Sequence, residues 1–346
     1  MSVIDPRIAR TPDAPGLFAA LAPMDGVTDW VYRDLLTSMH GGHSGISLCV
    51  SEFVRVTRMA VVPKVILKHC PEVQTGGTTA SGVPVFVQLL GGQPEPMAAT
   101  AARCVAMGAP GIDINFGCPA KTVNKSDGGA TILQFPQRLE AITAAVRRAV
   151  PDSTPVTVKI RLGWENADHV EDIARSIEQG GASWLTIHAR TRMQGYRPPV
   201  DWASIGRARE VVRMPVVANG DLNTVEAVEA CQEISGCTAF MIGRGAMGRP
   251  RLFRQLRGHR DPQLDAVWLC ERLQEYAQRI LDGGGTEAVA LGRCKQWLRL
   301  AAPAWDVYAA MFATLKRSQD LASLLRGLRP EGIPTPSAGL ELSPAP

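Results

Sequence analysis

The stretch 156–189, VTVKIRLGWENADHVEDIARSIEQGGASWLTIHA, carries the pattern that decides the fold. Its two ends, Val156–Arg161 and Trp184–Ala189, are short runs rich in β-branched and apolar residues, which are typical of buried strands. Between them, Val170–Glu178 has apolar residues at helical spacing. A strand, a helix and a second strand in this order indicate two parallel strands joined by a right-handed crossover.

The same unit recurs on both sides of this stretch. Helical periodicity is also found in Arg138–Ala149 and Thr224–Ile234. The other predicted strands are Leu17–Ala22, Ile46–Val50, Val85–Leu90, Gly111–Asn115, Val216–Asn219 and Ala239–Ile242. Eight strands over about 240 residues fit a closed (β/α)8 barrel better than an open sheet. We therefore predict an α/β fold, a TIM barrel.

The pattern changes after the last predicted strand. From Leu264 to Leu328 the sequence contains no strand-like run, and several segments have helical periodicity. The final residues are rich in proline, which predicts a disordered tail. The predicted organisation is an N-terminal extension at 1–16, a catalytic barrel at 17–250, a small all-α helical domain at 251–328 and the proline-rich tail at 329–346.

Composition and charge narrow the class of protein. Hydrophobic residues make up 45% of the 346 residues, which is enough for a full globular core. The N-terminus, MSVIDPRIAR, has no apolar region of the signal-peptide type, and no apolar run has the length that crosses a bilayer. We expect a cytoplasmic monomer that does not contact membranes.

The positive charge is unevenly distributed along the chain. From Arg249 to Pro330, 14 Lys and Arg stand against 8 Asp and Glu, although the whole chain has a net charge of only +4. A solvated helical face explains this excess, and so does a polyanionic partner. The eight cysteines form no C-x-x-C pair and no zinc pattern, so we expect no metal site and interpret most of them as small core residues.

Polar side chains follow most of the predicted strands, where a barrel builds its active site. Taken alone, each of these residues has an ordinary structural explanation: Lys159 can be a surface lysine, and His188 can be a hydrogen-bonded core histidine. Together the strand ends suit flavin mononucleotide (FMN). Gly220, Gly243 and Arg244 lie in the loops that bind phosphate in barrels. A cation such as Lys159 stabilises an anionic reduced flavin, and the amide of Gln88 and the backbone at 23–26 suit the edge of the ring.

The stretch 113–121, DINFGCPAK, places a cysteine just after a strand. Reduced flavin delivers a hydride to an electron-poor double bond, and the adjacent carbon then needs a proton. A thiol is a competent acid at neutral pH. Cys118 is therefore either that acid or an inert buried thiol, and its position alone does not decide between them.

Six motifs occur in one order along the chain: LAPMDGVTD, DINFGCPAK, VKIRLGW, IHARTRMQGY, VVANGD and MIGRGAMGRP. Together they resemble the tRNA-dihydrouridine synthases, flavoenzymes that reduce specific uridines in tRNA, over roughly residues 17–328. The motifs SEFVRV (51–56), GCPAKTVN (117–124), GGATIL (128–133) and QGYRPPVDW (194–202) look like the bacterial C subfamily, which is associated with uridine 16 of the D-loop.

The resemblance implies a mechanism and a set of site residues. NADPH, or NADH, reduces FMN, the flavin passes a hydride to C6 of the uracil, and Cys118 gives a proton to C5. The matching cofactor-binding positions are Pro23, Met24, Asp25, Gln88, Lys159, His188, Asn219, Gly220, Asp221, Gly243 and Arg244. The positions implied or suggested for substrate contact are Asn115, Arg161 and Tyr196 at the base and Arg293, Lys295 and Arg299 on the helical domain. For each of these last three, a solvated helix face remains equally open.

Two other classes of function remain open. One is a flavin-dependent barrel oxidoreductase that acts on a free pyrimidine or another small molecule. The other is a non-catalytic tRNA-binding module. Flavin absorbance of the purified protein separates the second class from an enzyme, and a comparison of tRNA with free uracil as substrate tests the first.

Overall fold

The computed structural model describes residues 11–124, 127–260 and 266–328. Its strands are β1 Phe18–Leu21, β2 Leu48–Val50, β3 Val54–Arg55, β4 Val85–Leu90, β5 Ile112–Phe116, β6 Val156–Arg161, β7 Trp184–His188, β8 Val216–Asn219 and β9 Ala239–Ile242. All but β3 form a closed parallel ring, because β1 pairs with β9 and β2 pairs with both β1 and β4. The predicted barrel is confirmed.

The strand β3 was not predicted. It has two residues and runs parallel to the last part of β4, with Val54 opposite Leu89 and Arg55 opposite Leu90. Two residues are too few to produce a recognisable period in the sequence. The strand nevertheless matters for the site, because it directs the following segment along the C-terminal end of the barrel.

Helices connect the strands and continue after the last one. Their bounds are α1 Trp30–Ser38, α2 Pro63–His69, α3 Pro94–Ala106, α4 Lys121–Asn124, α5 Pro136–Ala149, α6 Val170–Gln179, α7 Trp202–Glu210, α8 Val225–Ser235, α9 Gly245–Gly248, α10 Leu252–Gln255, α11 Ala266–Asp282, α12 Glu287–Ala301, α13 Asp306–Leu315 and α14 Leu321–Gly327. The three helices predicted between strands are α5, α6 and α8. Helix α8 begins after Thr224, whose side chain accepts a hydrogen bond from the Ala227 N–H and caps the helix.

The two faces of the strands differ in chemistry, since successive side chains point to opposite sides. In β6, Val156, Val158 and Ile160 belong to the core between the strands and the helices. The alternate residues of the same strand, Thr157, Lys159 and Arg161, face the barrel interior. The strand β6 therefore has an apolar outer face and a polar inner face, although its sequence as a whole is largely apolar.

The predicted helical region is confirmed by α11–α14, and it packs against the barrel. The Tyr276 hydroxyl donates to Asp29 Oδ2 (3.0 Å), and Trp297 Nε1 donates to the Met247 carbonyl (2.9 Å). The predicted boundary at 250 stays a prediction. The chain contacts the barrel beyond it, because Arg257 donates to the Leu17 carbonyl (2.9 Å).

Residues 1–10 of the predicted extension and the whole predicted tail, 329–346, lie outside the described residues. Within the described residues, no helix combines the length and the apolarity needed to cross a membrane. The same residues contain no group of three or more His, Cys, Asp or Glu side chains arranged to hold a metal ion.

Candidate active site

A cavity of about 840 Å³ opens at the C-terminal end of the barrel strands. It brings together Cys118 and every predicted cofactor-binding residue: Pro23, Met24, Asp25, Gln88, Lys159, His188, Asn219, Gly220, Asp221, Gly243 and Arg244. Four of the predicted substrate residues also line it, namely Asn115, Arg161, Tyr196 and Arg299. Arg293 and Lys295 do not.

The register of the parallel strands explains why these side chains meet. Asn115 on β5 lies opposite Lys159 on β6. Arg161, two residues later on β6, lies opposite His188 on β7, which in turn lies opposite Asn219 on β8. Residues that are far apart in the sequence therefore meet at the C-terminal end of the barrel.

A directional chain of hydrogen bonds supports the cysteine loop. Gln88 Nε2 donates to Asp113 Oδ2 (2.7 Å), and Asn115 Nδ2 donates to Gln88 Oε1 (2.8 Å). Asn115 Oδ1 then accepts the backbone N–H groups of Gly117 (2.9 Å) and Cys118 (3.0 Å). Because an ionised carboxylate can only accept, Asp113 sets the orientation of both amides.

Cys118 differs from the other cysteines in its exposure. It is the one cysteine of the eight that is not buried. Burial in the cavity wall raises the pKa of its thiol, while Arg161 and Arg55 act in the opposite direction. The thiol is therefore protonated at neutral pH and lines the cavity, whereas the other seven cysteines are buried.

Lys159 is held at the floor of the cavity. Its Nζ donates to Asn219 Oδ1 (3.0 Å), and Asn219 Nδ2 donates to the Met241 carbonyl (2.7 Å). Burial, followed by repulsion from Arg161, lowers the pKa of Lys159 to about 8. An anionic group beside this ammonium would restore its ordinary pKa, so the site favours an anion.

The strand β7 presents two polar atoms without partners. Thr186 Oγ1 and His188 Nδ1 are buried and, within the described residues, lack a hydrogen-bond partner. Burial and the nearby cations lower the pKa of His188 well below its usual range, so the ring is neutral at pH 7. Buried polar atoms without partners cost free energy unless a ligand or water receives them.

A pair of arginines fixes the loop after β8. Arg190 makes two bonds to the Asp221 carboxylate (3.0 and 2.5 Å), and Arg244 makes one (2.7 Å). Gly220 has φ +121° and Asp221 has φ +52°. A Cβ added at Gly220 would lie 3.1 Å from the Ala189 nitrogen, so the turn requires glycine there.

The rim of the cavity carries an aromatic ring with two guanidinium groups close to it. Tyr196 is 59% exposed. The guanidinium carbons of Arg161 and Arg244 lie 5.2 and 5.1 Å from the centre of its ring. Arg161 is itself fixed by the carbonyls of Gly117 (3.0 Å) and Gly195 (2.7 Å). The ring is thus held in place while its surface stays open.

The three cations predicted on the helical region have different environments. Arg293 lies 3.3 Å from Asp29 Oδ2 and 3.8 Å from Glu52 Oε1. Lys295 Nζ donates to the Ser318 carbonyl. Arg299 is exposed and lines the cavity. The first two are engaged inside the molecule, and the predicted contact with tRNA stays a prediction for all three.

Three residues that the structure places at the site were not predicted as site residues. Arg190 orients Asp221, Arg55 lines the cavity, and Asp113 begins the hydrogen-bond chain and also accepts from Thr157 Oγ1 (2.5 Å). One signal was present in the sequence. In D-I-N and T-V-K the polar residues are two apart, which puts them on the same face of a strand.

Comparisons of the whole chain with known proteins show which family it resembles. Residues 20–320 match the family model described as Dihydrouridine synthase (Dus). A tRNA-dihydrouridine(16) synthase of Pseudomonas syringae pv. tomato is 44% identical over 305 residues, which is 87% of this chain and 95% of the relative. The Escherichia coli K12 protein of the same name is 40% identical over 89% of this chain and 97% of its own length.

A solved structure supports the barrel independently. The old yellow enzyme homologue from Zymomonas mobilis has a TM-score of 0.50 and 14% identity, and the match covers 73% of this chain and 91% of that one. At this identity the similarity concerns the fold alone. The family match spans most of the chain and both relatives are matched over nearly their whole length, so the chain belongs to the dihydrouridine synthase family.

Proposed function

We propose that this enzyme is a tRNA-dihydrouridine synthase that reduces the C5=C6 bond of uridine 16, with FMN as cofactor and NADPH or NADH as reductant. The names of the relatives support the substrate and the position. The observation that carries the proposal is the placement of Cys118. Its thiol is the one cysteine side chain that is not buried, and it lines the same cavity as Lys159 and His188.

The residues of the cavity fit FMN by the chemistry of their donors. His188 lines the cavity, and its buried Nδ1 lacks a hydrogen-bond partner in the described chain. Lys159 retains free ammonium protons beside its one bond to Asn219. The residues that would hold the ring are Pro23, Met24, Asp25, Gln88, Lys159 and His188, and those that would hold the phosphate and its tail are Asn219, Gly220, Asp221, Gly243 and Arg244. Reduced FMN bound there supplies a hydride for C6 of the base.

The proton for C5 comes from Cys118 Sγ in this proposal. The raised pKa of its thiol keeps the proton in place until the base is present. Arg161 and Arg55 lower the pKa of the same thiol and so stabilise the thiolate that the transfer leaves. Asn115 holds the backbone of the loop, and hydride and proton together account for the two hydrogens that are added to the double bond.

The target uridine has to leave its stack to reach the cavity, which costs a few kcal/mol. Tyr196 and the guanidinium groups of Arg161 and Arg244 over its ring form an exposed rim against which a base can stack. Asn115, beside Cys118, would contact the base once it has entered. Arg299 lines the same opening from α12 and is suited to a phosphate contact.

The test is a reconstituted reaction. Purified protein is loaded with FMN and given NADPH together with unmodified tRNA, and dihydrouridine is mapped along the product. We expect a protein with flavin absorbance whose NADPH oxidation is accelerated by tRNA, with dihydrouridine appearing at position 16. Free uracil at the same base concentration is the control.

The other outcomes contradict the proposal in distinct ways. Faster NADPH oxidation with uracil than with tRNA would identify a small-molecule reductase. Tight tRNA binding by a protein that takes up no flavin would identify a binding module. Dihydrouridine at a position other than 16 would keep the activity and overturn the assigned uridine.

A further inference from the structure

A second basic region lies outside the helical segment in which the sequence concentrates its positive charge. Between Phe53 and Pro71 the chain has no Asp or Glu. The same segment contains four Lys and Arg: Arg55, Arg58, Lys64 and Lys68. We call residues 55–68 the basic rim.

The barrel fixes the position of the basic rim. The pairing of Arg55 with Leu90 places its start at the C-terminal end of the strands, and Arg55 lines the cavity. The Val61 N–H donates to Thr100 Oγ1 (3.2 Å), and Arg103 donates to the Val61 carbonyl (2.6 Å). Ile66 is fully buried. The segment is therefore anchored to the barrel and begins at the mouth of the cavity.

The cations of the basic rim are exposed and make no internal bonds. Within the described part of the chain, none of the four makes an ion pair or a side-chain hydrogen bond. Lys64 and Lys68 are four residues apart on α2, so they lie on one face of the helix. In the helical region, by contrast, Arg272, Arg279 and Arg293 are all in ion pairs.

We infer that the basic rim is a binding surface for the phosphate backbone of the RNA substrate, an inference that rests on the proposed function. Four exposed cations on a segment without acidic residues give this surface the charge that attracts a nucleic-acid strand. Arg55 connects this surface to the cavity, so a strand bound along the rim delivers its extruded base to Cys118. The contacts are to phosphates and position the RNA without reading its sequence.

Exposed apolar side chains on the same segment suggest one competing partner. Met59 is 79% exposed and Val62 57% exposed, and apolar residues among cations also suit an anionic membrane surface. The RNA backbone is favoured because the strip of charge runs into the cavity. Membrane binding is kept as an outcome of the test.

The test variant combines Arg58→Gln, Lys64→Gln and Lys68→Gln and leaves Arg55 in place, because Arg55 lines the cavity. The measurement is the Kd of the FMN-loaded protein for an unmodified tRNA transcript over a range of salt concentrations. Each lost phosphate contact removes roughly 0.7 to 0.9 from the slope of log K against log salt. We expect the slope to fall by about 2 and the Kd at 0.1 M salt to rise on the order of 100-fold.

A matched control removes the same charge from the opposite end of the barrel. Arg148, Arg209 and Arg213 are exposed and, among the described residues, make no side-chain hydrogen bond or ion pair. Arg209 and Arg213 line a depression where β8 and β9 begin. The combined variant Arg148→Gln, Arg209→Gln and Arg213→Gln should change the tRNA Kd by less than threefold. Thermal unfolding and flavin content verify that both variants are folded.

Several results would overturn the inference. An equal loss of tRNA affinity in both variants would assign the effect to net charge. If the rim variant bound tRNA with the Kd of the wild type, the basic rim would not be a tRNA-binding surface. Binding of the wild type to phosphatidylserine vesicles that is lost in the rim variant, with an unchanged tRNA Kd, would assign the rim to membranes. If the wild-type protein neither bound nor reduced tRNA, the proposed function would be wrong, and the inference about the basic rim would fail with it.

Discussion

The two ends of the barrel interior are built from opposite kinds of side chain. At the N-terminal end, Trp184 packs edge-on against Phe18, with ring centres 5.9 Å apart, and at an interplanar angle of 31° against Phe86, with ring centres 5.7 Å apart. These rings belong to a small apolar cluster inside the barrel. At the C-terminal end, the interior is lined by Lys159, His188 and Asn219. On β7 the change from Trp184 to His188 takes four residues, or about 13 Å.

The contrast shows how one fold separates stability from chemistry. Burial of the aromatic rings contributes to the free energy of folding. Burial of Lys159 and Asp113 lowers the stability instead. It lowers the pKa of Lys159 and raises that of Asp113, which shows that the charged form of each is disfavoured in the folded state. Substitutions at one end of the barrel should therefore change the stability, and substitutions at the other end should change the reaction.

The largest effect is expected for Cys118→Ala at the cavity end. The proposed acid is lost while the cavity keeps its other residues, so dihydrouridine formation should fall by about 10²- to 10⁴-fold. NADPH should still reduce the flavin, because that half of the reaction does not use the thiol. The measurement is a single-turnover experiment that starts from reduced enzyme and unmodified tRNA.

Cys104→Ala is the matched control for this prediction. Cys104 is fully buried in the core between the strands and the helices. Its substitution should lower the stability modestly and leave the rate of single turnover unchanged. A Cys118→Ala enzyme that forms dihydrouridine as fast as this control would exclude the thiol as the proton donor.

Trp184→Ala tests the opposite end. The cavity left among Phe18, Phe86 and the neighbouring strands should lower the free energy of unfolding by about 3–5 kcal/mol. Turnover per folded molecule should stay within about twofold, since the substituted position lies about 13 Å below His188. Urea denaturation and steady-state rates at low temperature measure the two quantities. A large loss of turnover without a loss of stability would show that the two ends are not separate.

The comparison also indicates what the sequence could predict. The strands of the ring were located to within about two residues because burial on both faces makes each of them a short apolar run. The polar residues at the strand ends could be recognised because each of them follows directly on such an apolar run. The (β/α)8 order then implied that they meet, and they all line one cavity.

Partners that are distant in the chain could not be predicted. Asp113 bonds to Gln88 across 25 residues of sequence, and Arg293 on α12 pairs with Asp29 at the start of α1. The charge count therefore placed the basic excess in the last quarter without showing that Arg293 is already paired. The pairing of charges depends on packing, and no local pattern encodes it.

The smallest effect on stability is expected at Asp113, where it depends on pH. Burial raises the pKa of Asp113 to about 6, whereas an unfolded Asp titrates near 3.9. The folded state holds this proton more tightly, so its stability falls as the pH rises through 6, at a cost of up to about 3 kcal/mol. Asp113→Asn removes the ionisation, and the variant should be more stable than the wild type at pH 8 by at most that amount. Its advantage should disappear below about pH 4, as chemical denaturation at several pH values will measure.

The effect of substitutions at Asp113 on turnover should depend on the direction of its hydrogen bonds with Gln88 and Thr157. An asparagine whose oxygen faces Gln88 can donate its Nδ2 to Thr157 Oγ1 and preserve the chain that reaches Cys118, so turnover should be retained. Asp113→Leu, which has the same number and branching of side-chain heavy atoms, leaves Gln88 Nε2 without its acceptor, and turnover should fall by about tenfold, which corresponds to the loss of a buried hydrogen bond. If the Asn and Leu variants lost turnover equally, the negative charge would matter and the direction of the bonds would not. If neither lost turnover, Asp113 would have no role in positioning the cysteine loop.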